Sequence, residues 1–331
     1  MRQQQTITYI VLNTALIVFA IGFVACNRKG FNTSYNQTSP TNILDNNLPL
    51  VVATNSVICD LTKQIAQQTI NLACLIPPGS NPTIYQPTSA DRQKIERANL
   101  ILYHGYNFEP QLMKIIKASP ARQIAVGQKA VAQPLKFVQN GKKITEPHIW
   151  HSTNNAIKML EIINESLSKA IPDKSGIYDK NTAKLTNEFT QMNNWIKSRI
   201  ASIPVKKRKL MTTHEAMIYY AQAYELPYVK NLKGIKNTKK LTNRKIENLA
   251  QDIRKMRVKT IFVDTTTSSQ LVEPVAQEAK VRIFARKLYL EGLGEPGSDG
   301  ETYQKMMDAN TRSIVEGLGG TYLKFSLKKS R

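Results

Sequence analysis

The segment IYDKNTAKLTNEFTQMNNWIKSRIASI, residues 177–203, decides the fold of this chain. Its apolar side chains recur every three or four residues, which is the spacing of one face of an α-helix. They are Tyr178, Leu185, Phe189, Met192, Ile196, Ile200 and Ile203. At about 1.5 Å per residue, this helix is close to 40 Å long, enough to run along two domains. Pro204 and the basic cluster after it end the helix.

Strands and helices alternate on both sides of this helix. Before it, the sequence predicts strands at 48–54, 70–76, 100–103 and 123–126, and helices at 57–70, 89–98 and 152–170. After it, strands are predicted at 209–212, 260–263 and 282–289, and helices at 215–224, 246–256, 269–279 and 301–318. Such alternation is typical of parallel sheets with helices on both faces. We therefore predict an α/β fold of two similar lobes, each a parallel sheet with flanking helices, joined by one long rigid helix.

The domain boundaries follow from the same pattern. The 331 residues suffice for about two domains. We predict an N-terminal lobe over 49–171, the linking helix over 175–203 and a C-terminal lobe over 205–328. Ligands of parallel α/β sheets gather at the carboxyl ends of the strands, where the loops carrying Thr83 and His104 are predicted to lie.

The N-terminus indicates the compartment. One arginine, Arg2, precedes a mostly apolar run that ends Phe-Val-Ala-Cys at residues 23–26. Small residues before a cysteine are typical of a lipoprotein signal peptide, so we predict a signal over 1–26, lipidated Cys26 and a flexible polar tether over 27–48. The alternative is an uncleaved transmembrane helix. Either interpretation places the rest of the chain outside the cytoplasmic membrane, anchored to it.

Charge and cysteine content leave two questions open. The net charge is +22, which favours anionic partners such as nucleic acid, lipid or cell-wall polymers. The charge is scattered and has no nucleic-acid-binding signature beside it, so we expect a solvated basic surface and no nucleic-acid partner. Cys59 and Cys74 either form a disulfide, which an extracytoplasmic compartment permits, or remain two small buried thiols.

The four histidines are the candidate functional residues: His104, His148, His151 and His214. His214-Glu215 begins like a metalloprotease motif, but its fifth position is Ile218, so that motif is absent. The chain also has no phosphate-binding glycine loop, no dinucleotide fingerprint and no nucleophile elbow. We therefore predict that the protein is not an enzyme. His148 and His151 could share a metal, although Pro147 places His148 before the helix.

A set of short stretches resembles the metal-binding solute-binding lipoproteins of ABC importers, the manganese, zinc and iron receptors. The stretches cover almost the whole predicted mature chain and keep the order seen in that family. They are 78–82 with 85–91, 98–105 with Glu109, 147–150, 213–216 with Tyr220, and 288–293 followed by 297–303 and Met307. The resemblance implies a receptor that carries one divalent ion between its lobes, with two side-chain ligands from each lobe.

Carried over position by position, the resemblance implies the ligands Thr83, His148, His214 and Glu291. His148 and His214 keep the family's chemistry, and Glu291 replaces the usual aspartate with a longer carboxylate. Thr83 departs from the family, which has histidine there, and a neutral hydroxyl is a poor ligand for a borderline cation. Water, Thr83 acting through water, or His104 could complete the site. Glu291 could also be a surface carboxylate, and His151 and Glu215 structural or solvated residues.

The expected cargo is Mn²⁺ or Zn²⁺, with Fe²⁺ also possible. The zinc branch often has a loop rich in histidine and acid before the second ligand, whereas residues 131–145 are basic, which favours manganese. The expected partners are the membrane subunits of an ABC permease and, through the lipid anchor, the membrane itself; we expect a monomer. The alternative function is that of a receptor-fold surface lipoprotein whose metal site is altered or lost and which acts in adhesion or interaction.

Overall fold

The first lobe is built on a four-stranded parallel sheet in the order β2-β1-β3-β4. We describe the protein from a computed structural model, which covers residues 47–139, 141–232 and 241–328. The strands are β1 (Leu50–Ala53), β2 (Asn71–Cys74), β3 (Leu100–Tyr103) and β4 (Arg122–Ala125). The central strands β1 and β3 are apolar without alternation because helices cover both faces of the sheet.

Five helices and one hairpin complete this lobe. The helices are α1 (Ser56–Ala66), α2 (Ser89–Arg97), α3 (Pro110–Ala118), α4 (Val126–Ala130) and α5 (Thr153–Ala170). The hairpin consists of β5 (Lys136–Gln139) and β6 (Lys142–Thr145), which are antiparallel. Our sequence interpretation did not assign α3, α4 or the hairpin. The sequence of the hairpin contains a turn signal that our prediction did not use. Gly141 follows an asparagine, and in the structure it adopts a φ of +76°.

The second lobe repeats the parallel arrangement. Its strands are β7 (Leu210–Thr212), β8 (Tyr228–Asn231), β9 (Thr260–Ile261) and β10 (Arg282–Ile283). A bridge between Thr212 and Phe262 joins the β7–β8 pair to the β9–β10 pair. The helices of this lobe are α7 (Ile218–Ala223), α8 (Asn243–Lys255), α9 (Ser269–Ala279) and α10 (Tyr303–Gly317). Strand β8 was not assigned from the sequence.

The long helix α6 (Ser175–Ala201) connects the lobes and packs against both. On the first lobe, Asn181 donates from Nδ2 to the Ile65 carbonyl oxygen at 2.8 Å. On the second lobe, the Phe189 ring lies 4.6 Å from the Tyr303 ring between centroids. One continuous apolar core cluster includes buried residues of both lobes and of the helix. The predicted fold, two parallel α/β lobes joined by one long helix, is confirmed.

Hydrogen bonds also cross directly between the lobes. The Leu293 amide donates to Ser56 Oγ at 2.9 Å, and the Gly79 amide donates to the Leu293 carbonyl oxygen at 2.9 Å. The Tyr303 amide donates to Asp60 Oδ2 at 2.9 Å. These bonds bring the carboxyl ends of the two sheets face to face.

Cys59 and Cys74 form a disulfide in this structure. Cys59 on α1 and Cys74 at the end of β2 are bonded, with their Cα atoms 5.7 Å apart. Of the two alternatives drawn from the sequence, the structure therefore contains the disulfide, and Cys74 is exposed rather than buried.

The predicted signal over 1–26, the lipidated Cys26 and nearly all of the predicted tether lie outside the described residues. Within the described ranges, no helix combines the length and the apolar character needed to cross a membrane.

Candidate metal centre

Three side chains predicted as ligands meet where the two sheets face each other. His148, His214 and Glu291 each offer a ligand atom, and these atoms all lie within 4.8 Å of one another. The three residues are 5%, 7% and 3% exposed, respectively. Two imidazoles and a carboxylate this close together are side chains of the types that ligate transition-metal ions. The cluster is therefore a candidate cation site, and Glu291 is not a surface carboxylate.

His148 reaches the cluster from the first lobe. It follows β6 and lies directly before the short turn Ile149–His151, and Glu146 two residues earlier fixes its ring. One Glu146 oxygen accepts the His148 amide at 2.9 Å and also contacts the ring Nδ1. Because Glu146 takes Nδ1, the other ring nitrogen, Nε2, faces the cluster. Nε2 is buried, has no hydrogen-bond partner among the described residues, and lies 3.6 Å from Glu291 Oε2.

The carboxylates around His148 also set its protonation. Burial disfavours the charged imidazole, but Glu146 and then Glu291 outweigh that effect and raise the pKa of His148 to about 9. His148 therefore holds a proton at neutral pH when no cation is bound, and a bound cation would replace that proton.

His214 and Glu291 reach the cluster from the second lobe. His214 follows the carboxyl end of β7, and its Nε2 lies 2.7 Å from Glu291 Oε1. Asp264 approaches the other ring nitrogen, with Oδ2 3.5 Å from Nδ1. Burial would raise the pKa of Asp264, but His214 and the Thr213 hydroxyl hold it well below its usual range. His214 therefore has a carboxylate behind it, as His148 does.

Glu291 is the centre of the cluster because both of its oxygens are used. Oε1 faces His214 and Oε2 faces His148. Burial alone would raise the pKa of Glu291, but the two histidines keep it well below the usual value, so the carboxylate is charged.

Glu146 and Asp264 are the residues that our sequence interpretation missed. The sequence nevertheless contained an indication of each residue's role. Glu146 precedes a predicted ligand by two positions, and Asp264 directly follows a predicted strand at the ligand-binding edge. Carboxylates that hold the second nitrogen of a metal-binding imidazole orient the ring and raise its basicity.

Thr83 differs from the other three predicted ligands in its contacts. It lies on the short turn Pro82–Ile84, and Asn81 caps that turn. The Thr83 hydroxyl donates to Asn81 Oδ1 at 2.7 Å, and its amide donates to the same oxygen at 3.0 Å. The hydroxyl is therefore engaged within its own turn.

His104 and His151 are held by backbone carbonyl groups. His104 Nε2 donates to the Pro147 carbonyl oxygen at 2.6 Å, and His151 Nε2 donates to the Leu290 carbonyl oxygen at 3.0 Å. Burial outweighs the hydrogen bond to the backbone carbonyl and lowers the pKa of each ring to about 3, so both rings are neutral. Each histidine braces a loop that carries a predicted ligand, because Pro147 precedes His148 and Leu290 precedes Glu291. This geometry does not favour His104 as a replacement ligand.

The spacing of the three side chains suits a small transition-metal ion. Two ligand atoms bound tetrahedrally at about 2.1 Å from an ion lie about 3.4 Å apart. The separation of His148 Nε2 from Glu291 Oε2 is 3.6 Å, which is close to that value, whereas the 2.7 Å contact of His214 with Glu291 would have to lengthen. Two imidazoles and a carboxylate form a donor set for zinc, manganese or iron.

Two parallel α/β lobes on one rigid helix, with candidate ligands from both lobes meeting where the lobes face each other, define a class of protein: a two-lobed receptor that captures a solute. The sequence matches the family described as ZnuA, zinc-uptake complex component A, periplasmic, over residues 51–317. The chain belongs to this family.

Named relatives and solved structures agree with this assignment. The chain is 29% identical to the manganese ABC transporter substrate-binding lipoprotein ScaA of Streptococcus gordonii, an alignment that covers 92% of this chain and 96% of ScaA. The manganese-binding lipoprotein MntA of Bacillus subtilis is 27% identical, with 81% and 89% covered. The fold is similar to the periplasmic zinc-binding protein TroA of Treponema pallidum, with a TM-score of 0.74, 25% identity, and 82% of this chain and 99% of TroA covered.

These findings confirm several predictions. The chain is a metal-receptor family member of the ABC-importer type, and it is not an enzyme. Its relatives are lipoproteins of importers, so the predicted place outside the cytoplasmic membrane and anchored to it is confirmed. That the four predicted ligands bind metal, and that Cys26 carries lipid, stay predictions.

Proposed function

We propose that this protein captures one divalent transition-metal ion between its lobes and hands it to an ABC permease. The observation that carries the proposal is the meeting of His148 from one lobe with His214 and Glu291 from the other. Because the donors come from both lobes, the bound ion stabilises one relative position of the lobes. A permease can recognise that position.

The fourth coordination position belongs to water in this proposal. Thr83 is on the first-lobe loop where the family resemblance implies histidine, and its hydroxyl is held by Asn81. A water molecule bound to the ion could accept or donate a hydrogen bond there without disturbing the turn. The site then has two nitrogen donors, one carboxylate and water.

This donor set favours manganese as the cargo. Replacing one imidazole by an oxygen donor makes the site harder, and harder sites suit Mn²⁺ relative to Zn²⁺. Zinc still binds more tightly than manganese to almost any nitrogen and oxygen site. We therefore expect the selectivity to be smaller than in a site with three histidines, and selection in the cell to depend on which ion is available.

The long helix α6 limits how the ion is released. It packs on both lobes through Asn181 and Phe189, so wide hinge opening would break its contacts. We expect a small rocking of the lobes, enough to expose the ion to the permease. The names of the relatives, which are substrate-binding lipoproteins of ABC transporters, support a permease as the partner.

Calorimetric titration of residues 27–331 with Mn²⁺ and Zn²⁺ tests the proposal. We expect one ion per chain. Four ligands of a structural zinc site together contribute about 10–16 kcal/mol, so losing one of them should weaken binding by about 100- to 1,000-fold. His214→Ala and Glu291→Gln are the test variants. Glu165→Gln, which removes an exposed carboxylate that pairs with Lys169 on the first lobe, is the control. Absence of binding and of any thermal shift with either metal would refute the proposal.

Thr83→His separates this function from the alternative of a surface lipoprotein that has lost its metal. If the natural protein binds metal and Thr83→His changes its affinity only modestly, the site with three protein ligands is competent. If the natural protein binds nothing and the variant binds tightly, the alternative is correct. Zinc should gain more than manganese from the added imidazole.

A further inference from the structure

The outer edge of the second lobe contains a cavity of about 390 Å³ that is unusually basic. It lies at the amino ends of β7, β9 and β10, whereas His214, Asp264 and Glu291 follow the carboxyl ends of the same sheet. The strands therefore separate this cavity from the candidate metal centre. Its volume is within the range of small-molecule sites.

Seven cationic side chains line the cavity, and no described aspartate or glutamate lines it. Six are exposed: Lys206, Lys207, Arg257, Lys259, Lys280 and Arg282. Two of the seven, Lys209 and Arg282, make defined hydrogen bonds. Among the described residues, none of the seven forms a salt bridge that would neutralise it.

The negatively polarised C-termini of nearby helices offset only part of this positive charge. Lys209 Nζ donates to the Met256 carbonyl oxygen at the end of α8 at 2.9 Å, and the Arg282 guanidinium donates to the Gly317 carbonyl oxygen at the end of α10. Helix α9 also ends here, with Lys280 as its C-cap. Each helix C-terminus carries about −0.5 charge, so three of them offset about 1.5 of the seven positive charges and leave about +5.5.

The acidic residues nearest in sequence are occupied elsewhere. Glu278 pairs with Arg254 at 3.5 Å, and Glu316 pairs with Arg286 at 2.5 Å and with Arg312 at 3.0 Å. Like charges held around a concavity repel each other and destabilise the fold unless an anion binds among them. The charge in this cavity is therefore a property that folding does not require.

We propose that this cavity binds an anion that carries two or more phosphate groups. Lysine ammonium groups bind phosphate as point charges, and arginine adds paired donors in a plane. Lys207 can reach into the cavity from its edge because Gly319, at a φ of +77°, has no side chain there; a Cβ at Gly319 would lie 3.2 Å from Lys207 Nζ. The phosphate groups can belong to a soluble polyphosphate or to anionic lipid headgroups, which would give the anchored protein a second contact with its membrane.

A matched pair of variants tests the inference. The cavity variant is Lys206→Gln, Lys207→Gln and Lys259→Gln. The control is Lys114→Gln, Lys142→Gln and Lys143→Gln, which removes the same charge from exposed sites on the first lobe. Both are made in residues 27–331, which contain every described element and lack Cys26. Unchanged circular dichroism and metal titration show that both variants fold.

The first probe is tripolyphosphate, titrated by calorimetry at low ionic strength. The second is sedimentation with vesicles of phosphatidylglycerol and, for comparison, of phosphatidylcholine. Each lysine near an anionic phosphate surface contributes about fivefold, so the cavity variant should bind about 100-fold more weakly and the control less than about twofold. Binding of tripolyphosphate alone supports a soluble ligand, and additional binding to phosphatidylglycerol supports the lipid. No binding of either probe, or an equal loss in the control, overturns the proposal.

Discussion

Metal affinity should rise steeply with pH between 6 and 8, because His148 must lose a proton to bind an ion. Its Nε2 faces the cluster, while Glu146 holds Nδ1. Glu146 and Glu291 outweigh burial and raise the pKa of His148 to about 9. Throughout this pH range the ring is therefore mostly protonated without metal, and protons compete with the ion.

The magnitude follows from that pKa. Below the pKa of a ligand, each pH unit lowers the apparent metal affinity about tenfold. Taking His148 alone, we expect affinity to fall about 100-fold from pH 8 to pH 6. At pH 7 nearly one proton should be released for each ion that binds at His148.

The assay is a competition titration with Mn²⁺ against a chelator of known pH dependence, at half-unit steps. Calorimetry in buffers of different ionisation enthalpy counts the released protons independently. Glu146→Gln is the informative control. The substitution removes the largest cause that raises the pKa of His148. The pKa of His148 should therefore fall toward its ordinary value of 6.5, and metal affinity should depend less on pH between pH 7 and 8. Affinity that does not change with pH, or equal slopes in both proteins, would refute the reasoning.

Three further predictions concern stability. Cys59→Ser should lower the free energy of unfolding by about 3 kcal/mol, because the disulfide closes a loop of 15 residues, and equal denaturation curves for oxidised and reduced wild type would contradict this. Phe189→Ala should cost about 3–5 kcal/mol, measured by urea denaturation, because the ring is fully buried between α6 and α10; a cost below 1 kcal/mol would show that the helix does not brace the second lobe. Burial, opposed by hydrogen bonds from Asn55 and Thr54, raises the pKa of Glu109 to about 7. The contribution of Glu109 to the free energy of unfolding is therefore fully present below about pH 4.5 and is lost as pH rises through 7. Between pH 5 and 8, wild type should lose about 2.5 kcal/mol relative to Glu109→Gln, and parallel pH profiles would contradict this prediction.

The sequence alone determined the architecture. Apolar spacing located α6 within two residues at each end, since a helix of this length repeats its pattern many times. It also located the core strands, for example Leu100–Tyr103, because buried parallel strands are continuously apolar. Elements with short or polar patterns were missed, including α3 and the β5–β6 hairpin, because four to nine residues carry too little periodicity. The ligand candidates His148, His214 and Glu291 came from the family resemblance and not from the apolar spacing.

Only the tertiary structure decided how those residues act together. His148 lies 66 residues from His214 in the sequence, and only the approach of the two sheets brings their rings to 5.8 Å between centroids. It also placed Glu146 and Asp264 behind the two imidazoles. The same folding gathered lysines and arginines from three separate segments into one cavity at the far edge of the second lobe. Local sequence specifies helices and strands because their interactions are between near neighbours, whereas a site depends on distances between segments, which packing alone sets.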